Sequence, residues 1–442
     1  MRLATALQSH RRRVESLLIV AVVAVALVLR LAYALSVPNE LTFDEPTYND
    51  IVTNLLTGRG YSFSGNAYYT SVPYSPTSFQ EPMYPLFLVS IYRVTGLEAF
   101  KAARVVQAIL NTISVILMML IASRIWNRGS TIFVGAIAAV YIPFLYFTGL
   151  LMTENLFIFW LLIFVCLCVT AFQRNKTWWL FAVGVSYGIA CLTCGMFLFF
   201  LPILLPIILY TWRRNPRPFL GTAFLLAGVV IAIAPWTYRN YLVQNAFVPI
   251  TTKAGYNLYV YTYPAESLDF NNRFDQIPIP QMDGLTEIQR ASNLQSLAIE
   301  NIKAYPLLQL KFALYKLLDF WNPLAKRGAW YAQLLYVVMF AIVIALAIFG
   351  VIRMFRSASE PAIGFLLVSL ILFHVAGAAV FTGGGKARLP IEPLLILLAG
   401  GGFALLNQMR IFSERWMRRA SQTNDPGGLS LLRVKATDPV EM

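Results

Sequence analysis

Apolar stretches about 20 residues long recur along this chain, and that length is what an α-helix needs to cross the hydrocarbon of a bilayer. The first runs from Leu17 to Leu35 and is broken only by Arg30. Within hydrocarbon every backbone polar group must find a partner, so spans form helices or closed barrels. A barrel would show short alternating strands, which this sequence lacks. The chain therefore reads as an all-α polytopic membrane protein. After the first span, others are expected at 103–123, 130–148, 154–172, 178–195, 197–212, 219–237, 331–352, 362–381 and 389–409. That makes about ten transmembrane helices, with both chain ends on one side. Composition agrees, since 58% of residues are hydrophobic and 13% charged, whereas about a quarter are charged in soluble domains.

The formal charge of +14 points to a membrane rather than to nucleic acid, because Lys and Arg collect in cytoplasmic loops. Arg2, Arg11, Arg12 and Arg13 fall on one side with Arg124, Arg128, Arg174, Lys176, Arg213, Arg214, Arg217, Arg353 and Arg356. The tail adds Arg410, Arg415, Arg418, Arg419, Arg433 and Lys435. Residues 1–36 then form a cytoplasmic N-terminus and first span, although Ala32-Tyr33-Ala34 imitates a signal-peptidase site and leaves removal open. Residues 37–102 form a first outer loop, 103–237 spans two to seven, and 238–330 a large outer loop. Residues 331–409 form spans eight to ten, and 410–442 a cytoplasmic tail expected to be disordered. Cys166, Cys168, Cys191 and Cys194 all lie in apolar runs and read as packing residues. No internal repeat is evident.

The outer loops carry helical patterns of their own. Pro46 suits a first helical position, Tyr48, Ile51, Leu55 and Leu56 follow at helical spacing, and Gly58 and Gly60 end the run. Tyr84 to Val94 is apolar but too short to span, which suggests an interfacial helix. Leu285–Ala304 and Pro306–Phe320 read as amphipathic helices with Leu297, Ile302, Leu307, Leu310, Leu314, Leu317 and Leu318 as packing positions.

Asp44, Glu45 and Asp50 place three carboxylates within seven residues of a chain that has only 21 acids. Asp44 is the candidate centre of an active site, and the alternative is that acids here merely complement the helix dipole. Glu154 stands in an otherwise uncharged stretch from Thr131 to Phe172. An acid there is costly unless it faces a polar cavity, although Thr153-Glu154-Asn155 also reads as a helix start. Lys386 and Arg388 are cations on the side where the charge rule would not put them, after Gly383-Gly384-Gly385, which could bend into an anion-binding nest. Snorkelling of Lys386 and an Arg388–Glu392 pair are the alternatives. Arg239 is a second phosphate candidate. His374 reads as a hydrogen-bonded interior residue, and Arg30 as either paired with a cavity acid or snorkelling.

The motifs resemble one family. Asp44-Glu45, Asn54-Leu55-Leu56-x-Gly58-x-Gly60-Tyr61 and Gln80-Glu81-Pro82-Met83-Tyr84-Pro85-Leu86 look like the first outer loop of the GT-C membrane glycosyltransferases. The similar branch contains protein O-mannosyltransferases and the lipid A aminoarabinose transferase. Thr153-Glu154-Asn155, Pro235-Trp236-Thr237-Tyr238-Arg239-Asn240-Tyr241, Phe247-Val248-Pro249-Ile250-Thr251, Gly255-Tyr256-Asn257-Leu258-Tyr259 and Arg388-Leu389-Pro390-x-Glu392-Pro393 follow in the same order.

This resemblance implies a multi-pass enzyme of the cytoplasmic membrane with its site on the extracytoplasmic side. It would move a sugar, with inversion, from a polyprenyl-phosphate donor to a lipid, glycan or protein acceptor, a cell-envelope glycan being preferred. Asp44, helped by Glu45 and Glu154, would be catalytic; Lys386, Arg388 and Arg239 would hold the donor phosphate. Tyr48, Tyr61, Tyr69, Asn257 and Tyr259 are candidate sugar contacts by residue type and location alone, and Glu81 is a further substrate-binding candidate. Glu81 occupies the place of a metal-linked glutamate in the aminoarabinose-transferase branch, so a divalent metal held by Asp44 and Glu81 is a candidate cofactor. No His lies between Arg13 and His374 to complete such a site. The competing reading is a transporter or flippase of a lipid-linked sugar, which would carry charges near mid-membrane on broken helices.

Overall fold

A computed structural model of the chain describes residues 2–65, 72–213, 218–265, 277–324, 330–356, 361–381 and 385–423. The helices in chain order are α1 (Arg2–Ser36), α2 (Glu45–Leu56), α3 (Met83–Thr95), α4 (Phe100–Ile125), α5 (Arg128–Val140), α6 (Ile142–Thr148), α7 (Thr153–Arg174) and α8 (Trp179–Thr193). They continue with α9 (Leu201–Trp212), α10 (Pro218–Gln244), α11 (Lys253–Thr262), α12 (Glu287–Ala304), α13 (Pro306–Trp321), α14 (Trp330–Arg356), α15 (Pro361–Phe381) and α16 (Glu392–Thr423). Short 3-10 helices at Gly195–Phe200 and Gly385–Ile391 lead into α9 and α16. The fold is all-α, and no strand occurs among the described residues beyond a bridge between Ser62 and Pro76.

Among the described residues eight helices are long and apolar enough to cross a membrane, and the bent pair α5–α6 makes a ninth span. The 15-residue α8 is apolar but shorter, and it occupies the remaining expected position. The molecule is a multi-pass membrane protein. Two helix pairs approach closely enough to exclude a side chain. A Cβ on Gly184 would lie 2.0 Å from the Leu225 carbonyl oxygen, joining α8 to α10, and one on Gly350 would lie 1.9 Å from that of Leu398, joining α14 to α16. Small residues at such crossings let backbones pack without a side chain between them.

The span over 128–148 is not continuous. Its two halves meet at 50°, with Tyr141 extended between them. Pro143 has no N–H to give the Ala139 carbonyl four residues earlier, so the helix cannot close its bonds there. Arg30 supplies the missing donors from α1. Fully buried, it donates to the carbonyls of Ala138 at 2.9 Å, Ala139 at 3.0 Å and Ala26 at 3.1 Å. Arg30 therefore neither pairs with an acid nor snorkels, contrary to both expectations. It caps a broken helix.

The two long polar segments share one core. Ile51, Tyr61, Phe63 and Phe79 of the first pack with Tyr256, Tyr259, Val260, Ile277, Leu294 and Ala298 of the second. Glu287, in the first turn of α12, latches them. Its carboxylate accepts from Thr77 Oγ1 at 2.7 Å, the Ser78 N–H at 2.9 Å and Thr252 Oγ1 at 2.7 Å. α12 opens with a capping box formed by Thr286 and Gln289.

Two expectations about packing need correction. On α13 the leucines Leu307, Leu310, Leu314 and Leu318 are exposed, and Phe312, Lys316 and Phe320 form the buried face. In a membrane protein an apolar stripe satisfies lipid as well as it does a core, so periodicity does not say which face turns inward. The tail is not irregular from 410 onward, because α16 continues to Thr423. From Arg410 onward the first Gly or Pro residues are Pro426-Gly427-Gly428; the rest of the tail lies outside the described residues.

Candidate active site

Asp44 occupies the N-cap position of α2, but its backbone is already helical and its side chain makes no capping bond. No capping bond therefore accounts for its carboxylate. That carboxylate is 51% exposed, and Oδ2 lies 2.5 Å from Lys386 Nζ. The turn presenting it is tight. Phe43 takes φ of 55°, a left-handed conformation that costs a bulky L-residue about 1–2 kcal/mol, and Glu45 accepts from Thr42 Oγ1 at 2.9 Å.

Glu45, expected beside Asp44 as a catalytic helper, is instead bound into the scaffold. It is 1% exposed, accepts the Leu151 N–H at 2.7 Å and stands 3.7 Å from the Arg104 guanidinium. Arg104 also donates to the carbonyls of Pro38 and Glu40. Neighbouring positions at a helix start project about 100° apart, so adjacent acids here serve different surroundings. Glu45 fastens the start of α2 to the turn between α6 and α7.

That turn positions the second carboxylate. Gln107 and Asn155 donate to the carbonyl of Leu150, and Thr153 Oγ1 donates to the Thr193 carbonyl at 2.9 Å. Glu154, in the first turn of α7, then places Oε1 3.3 Å from Lys386 Nζ. Its Oε2 is buried and has no hydrogen-bond partner among the described residues. One ammonium thus bridges Asp44 and Glu154, from segments more than 100 residues apart.

Other groups gather around this bridge. Tyr48 is buried; burial first, and then the charges of Asp44, Glu154 and Glu81, raise its phenol well above the ordinary range. Glu81 Oε1 accepts the Gly195 N–H at 3.2 Å, while Tyr61 holds the Gln80 and Glu81 carbonyls through its hydroxyl, both at 3.1 Å. Lys253, at the start of α11, donates to Gln80 Oε1 at 3.0 Å. Its proximity was not legible in sequence, because a lysine opening a loop helix carries no signal of what it faces. Burial raises the Asp44 pKa, but the Lys386 and Lys253 charges and the Lys386 hydrogen bond outweigh it and hold the carboxyl below its ordinary value. Asp44 is therefore ionised at neutral pH.

Several expected contacts are built into the scaffold instead. Arg388 is buried and bonded to Glu392 at 2.9 Å, the Phe320 carbonyl at 2.6 Å, the Asn322 carbonyl at 3.0 Å and the Tyr336 hydroxyl. It is not free to meet a phosphate; the i,i+4 pair is what forms. Arg239 donates to the carbonyls of Thr77 at 2.6 Å and Tyr61 at 3.3 Å and lies 4.8 Å from the Trp236 ring centre, so it braces the first polar segment. Tyr259 is buried and donates to the Pro278 carbonyl; Asn257 sits half-buried on α11. His374 is an interior residue, its Nδ1 2.8 Å from the Leu370 carbonyl. Tyr69, Gly383 and Gly384 lie outside the described residues.

Among the described residues no three His, Cys, Asp or Glu side chains come together as a metal site. What is assembled is an exposed, ionised carboxylate, a second carboxylate mostly shielded from solvent and a cation between them. These sit where α2, α7 and the 3-10 helix before α16 meet. The arrangement can accept a proton from an approaching hydroxyl and offer positive charge to an anionic group.

Fold and comparisons define the class: the chain is a multi-pass membrane protein with the GT-C fold. Residues 76–238 match the family model for dolichyl-phosphate-mannose-protein mannosyltransferases. The chain is 26% identical over 237 residues to the undecaprenyl phosphate-alpha-4-amino-4-deoxy-L-arabinose arabinosyl transferase of Pseudomonas paraeruginosa, covering 51% of this chain and 40% of that protein. Among solved structures it is similar to the oligosaccharyltransferase AglB of Archaeoglobus fulgidus in complex with an inhibitory peptide and a dolichol-phosphate. The TM-score there is 0.59 at 12% identity, over 98% of this chain and 53% of the other. A structure of the same archaeal oligosaccharyltransferase in complex with Zn and sulfate gives 0.52 at 13% identity, over 90% and 50%. The chain thus spans about half the length of the archaeal oligosaccharyltransferase and 40% of the arabinosyl transferase.

Proposed function

We propose that this protein is a glycosyltransferase that moves a sugar from a polyprenyl-phosphate donor to a hydroxyl-bearing acceptor at the extracytoplasmic face of the cytoplasmic membrane. One observation carries the reading. Asp44 makes no capping bond, is half exposed and ionised, and is joined through Lys386 to Glu154. A hydroxyl is a poor nucleophile near neutral pH, and a positioned carboxylate helps by taking its proton as the new bond forms. Lys386 offers charge to the departing phosphate. Glu154, with one oxygen on Lys386 and the other unpartnered, orients the cation and can accept from a sugar hydroxyl.

The relatives' names support the donor class, since they are an undecaprenyl-phosphate-sugar transferase and an enzyme held with dolichol-phosphate. The acceptor is a lipid, a glycan or a protein, with a cell-envelope glycan preferred. Arg13, Arg124, Arg174, Arg213 and Arg353 lie at or near the helix ends opposite those that carry Asp44, Glu154 and Lys386, which supports the extracytoplasmic placement. The transporter reading rested on Arg30 and His374. Both make backbone hydrogen bonds inside the scaffold.

Asp44→Asn is the test. Because Asp44 makes no capping bond, the variant keeps its melting temperature. Its transfer rate falls about 100- to 10,000-fold, the usual contribution of a general base. Transfer by the folded variant at the wild-type rate would remove Asp44 from the mechanism.

A further inference from the structure

The family resemblance implies a metal-linked carboxylate at Glu81, and the archaeal oligosaccharyltransferase has been solved with Zn. The residues present here do not fit such an ion. Glu81 Oε1 is engaged by the Gly195 N–H, and among the described residues no three metal-ligating side chains converge. Where two carboxylates do converge, the space between them holds Lys386 Nζ, 2.5 Å from Asp44 and 3.3 Å from Glu154. A hard divalent ion takes about six oxygen ligands. Here, among the described residues, it would have these two carboxylates and would stand against a resident positive charge.

We propose that the Lys386 ammonium does in this protein the work of a divalent cation: it fixes Asp44 against Glu154 and neutralises the leaving phosphate, so that transfer needs no added metal. This rests on the glycosyltransferase reading above. In the step itself the acceptor hydroxyl gives its proton to Asp44 and its oxygen bonds to the anomeric carbon. The bond from that carbon to the phosphate oxygen breaks, and its electron pair leaves on the phosphate. Lys386 keeps its protons throughout and contributes charge alone.

The surroundings are those of a fixed cation rather than a snorkelling side chain. Lys386 is the second residue of a seven-residue 3-10 helix. Arg388, two residues on, pins that helix to the end of α13, to Tyr336 of α14 and to Glu392 of α16. A flexible lysine at a headgroup would need no such anchorage. A cation aimed at two carboxylates does, because a point charge loses value steeply with distance in a partly desolvated site.

Two readouts on the full-length protein in nanodiscs test this. The first is Mn(II) binding, followed by electron paramagnetic resonance; the second is release of lipid phosphate from polyprenyl-phosphate sugars, with and without EDTA. The wild type is expected to hold no Mn(II) at the carboxylates and to keep its rate within about twofold in EDTA. Lys386→Gln is expected to lose about 100-fold, the scale on which a preorganised charge donor contributes. It should take up Mn(II) that Lys386→Gln combined with Asp44→Asn does not. Lys386→Arg, which keeps the charge, should retain more activity than Lys386→Gln at equal melting temperature, a difference a merely structural role would not produce. A bound Mn(II) in the wild type, or activity lost in EDTA and restored by Mn(II), would overturn the proposal while leaving the transferase reading intact. Absence of turnover in the wild type with every donor, metal or none, would sink the transferase reading instead, and the proposal with it.

Discussion

Asp44 differs from its neighbour Glu45 by where each oxygen points, and that difference separates chemistry from scaffolding. Glu45 directs its acceptors to Thr42 and Leu151, while among the described residues the Asp44 carboxylate bonds to a cation that is itself 42% exposed. A pH consequence follows. Burial raises the Asp44 pKa, and Lys386 and Lys253 lower it by more. The base is thus lost only as pH falls through a value below the ordinary carboxylate pKa of about 3.9. Removing Lys386 takes away a lowering influence and moves that loss upward. Rate measured against pH should therefore show the acid limb of Lys386→Gln at higher pH than that of the wild type. Coincident acid limbs would mean that Asp44 does not feel this cation. In sequence both acids read as catalytic, with Asp44 at the centre, because a helix start with Asp-Glu-Pro gives composition but not azimuth. Arg388 was open to two readings for a similar reason: four residues before Glu392 it could face inward as a partner or outward as a ligand, and the tertiary fold of α13 and α14 around it decides.

At the scale of elements, the spans were legible because bilayer thickness imposes a length that apolar runs must meet. The break between α5 and α6 was not, since Tyr141, Ile142 and Pro143 sit inside a run apolar enough to pass as one span. Only the missing donor of Pro143, and the arrival of Arg30 from 108 residues away, turns the run into two helices. Replacing Arg30 with Met preserves length and removes the donors. Each buried carbonyl left unpaired costs about 1–3 kcal/mol, so thermal unfolding in detergent should begin well below the wild-type midpoint. An unchanged midpoint would show that water already serves Ala138 and Ala139. The α13 stripe is the mirror case, since its periodicity was read correctly and its facing was not: lipid and core ask the same of a leucine.

For the whole molecule, the site exists only because segments far apart in sequence are held together at one end of the bundle. Glu287 is the latch between the two polar segments, and it touches none of the reacting groups. Glu287→Ala removes the shared acceptor of Thr77, Ser78 and Thr252, and should loosen both segments while leaving the spans folded. Hydrogen exchange would register this as faster labelling of 72–83 and 248–253 with the spans unaffected, accompanied by a raised KM for donor. Protection equal to the wild type would mean that the shared aromatic core suffices without the latch.

On the proposed function, the chain consumes a lipid-linked sugar at Asp44. The most direct test is release of polyprenyl phosphate by the purified protein offered a panel of polyprenyl-phosphate sugars beside the matching nucleotide sugars. Lipid-phosphate release is expected with at least one lipid-linked donor, none with nucleotide donors, and loss of that release in Asp44→Asn. Turnover of nucleotide sugars alone would contradict that function.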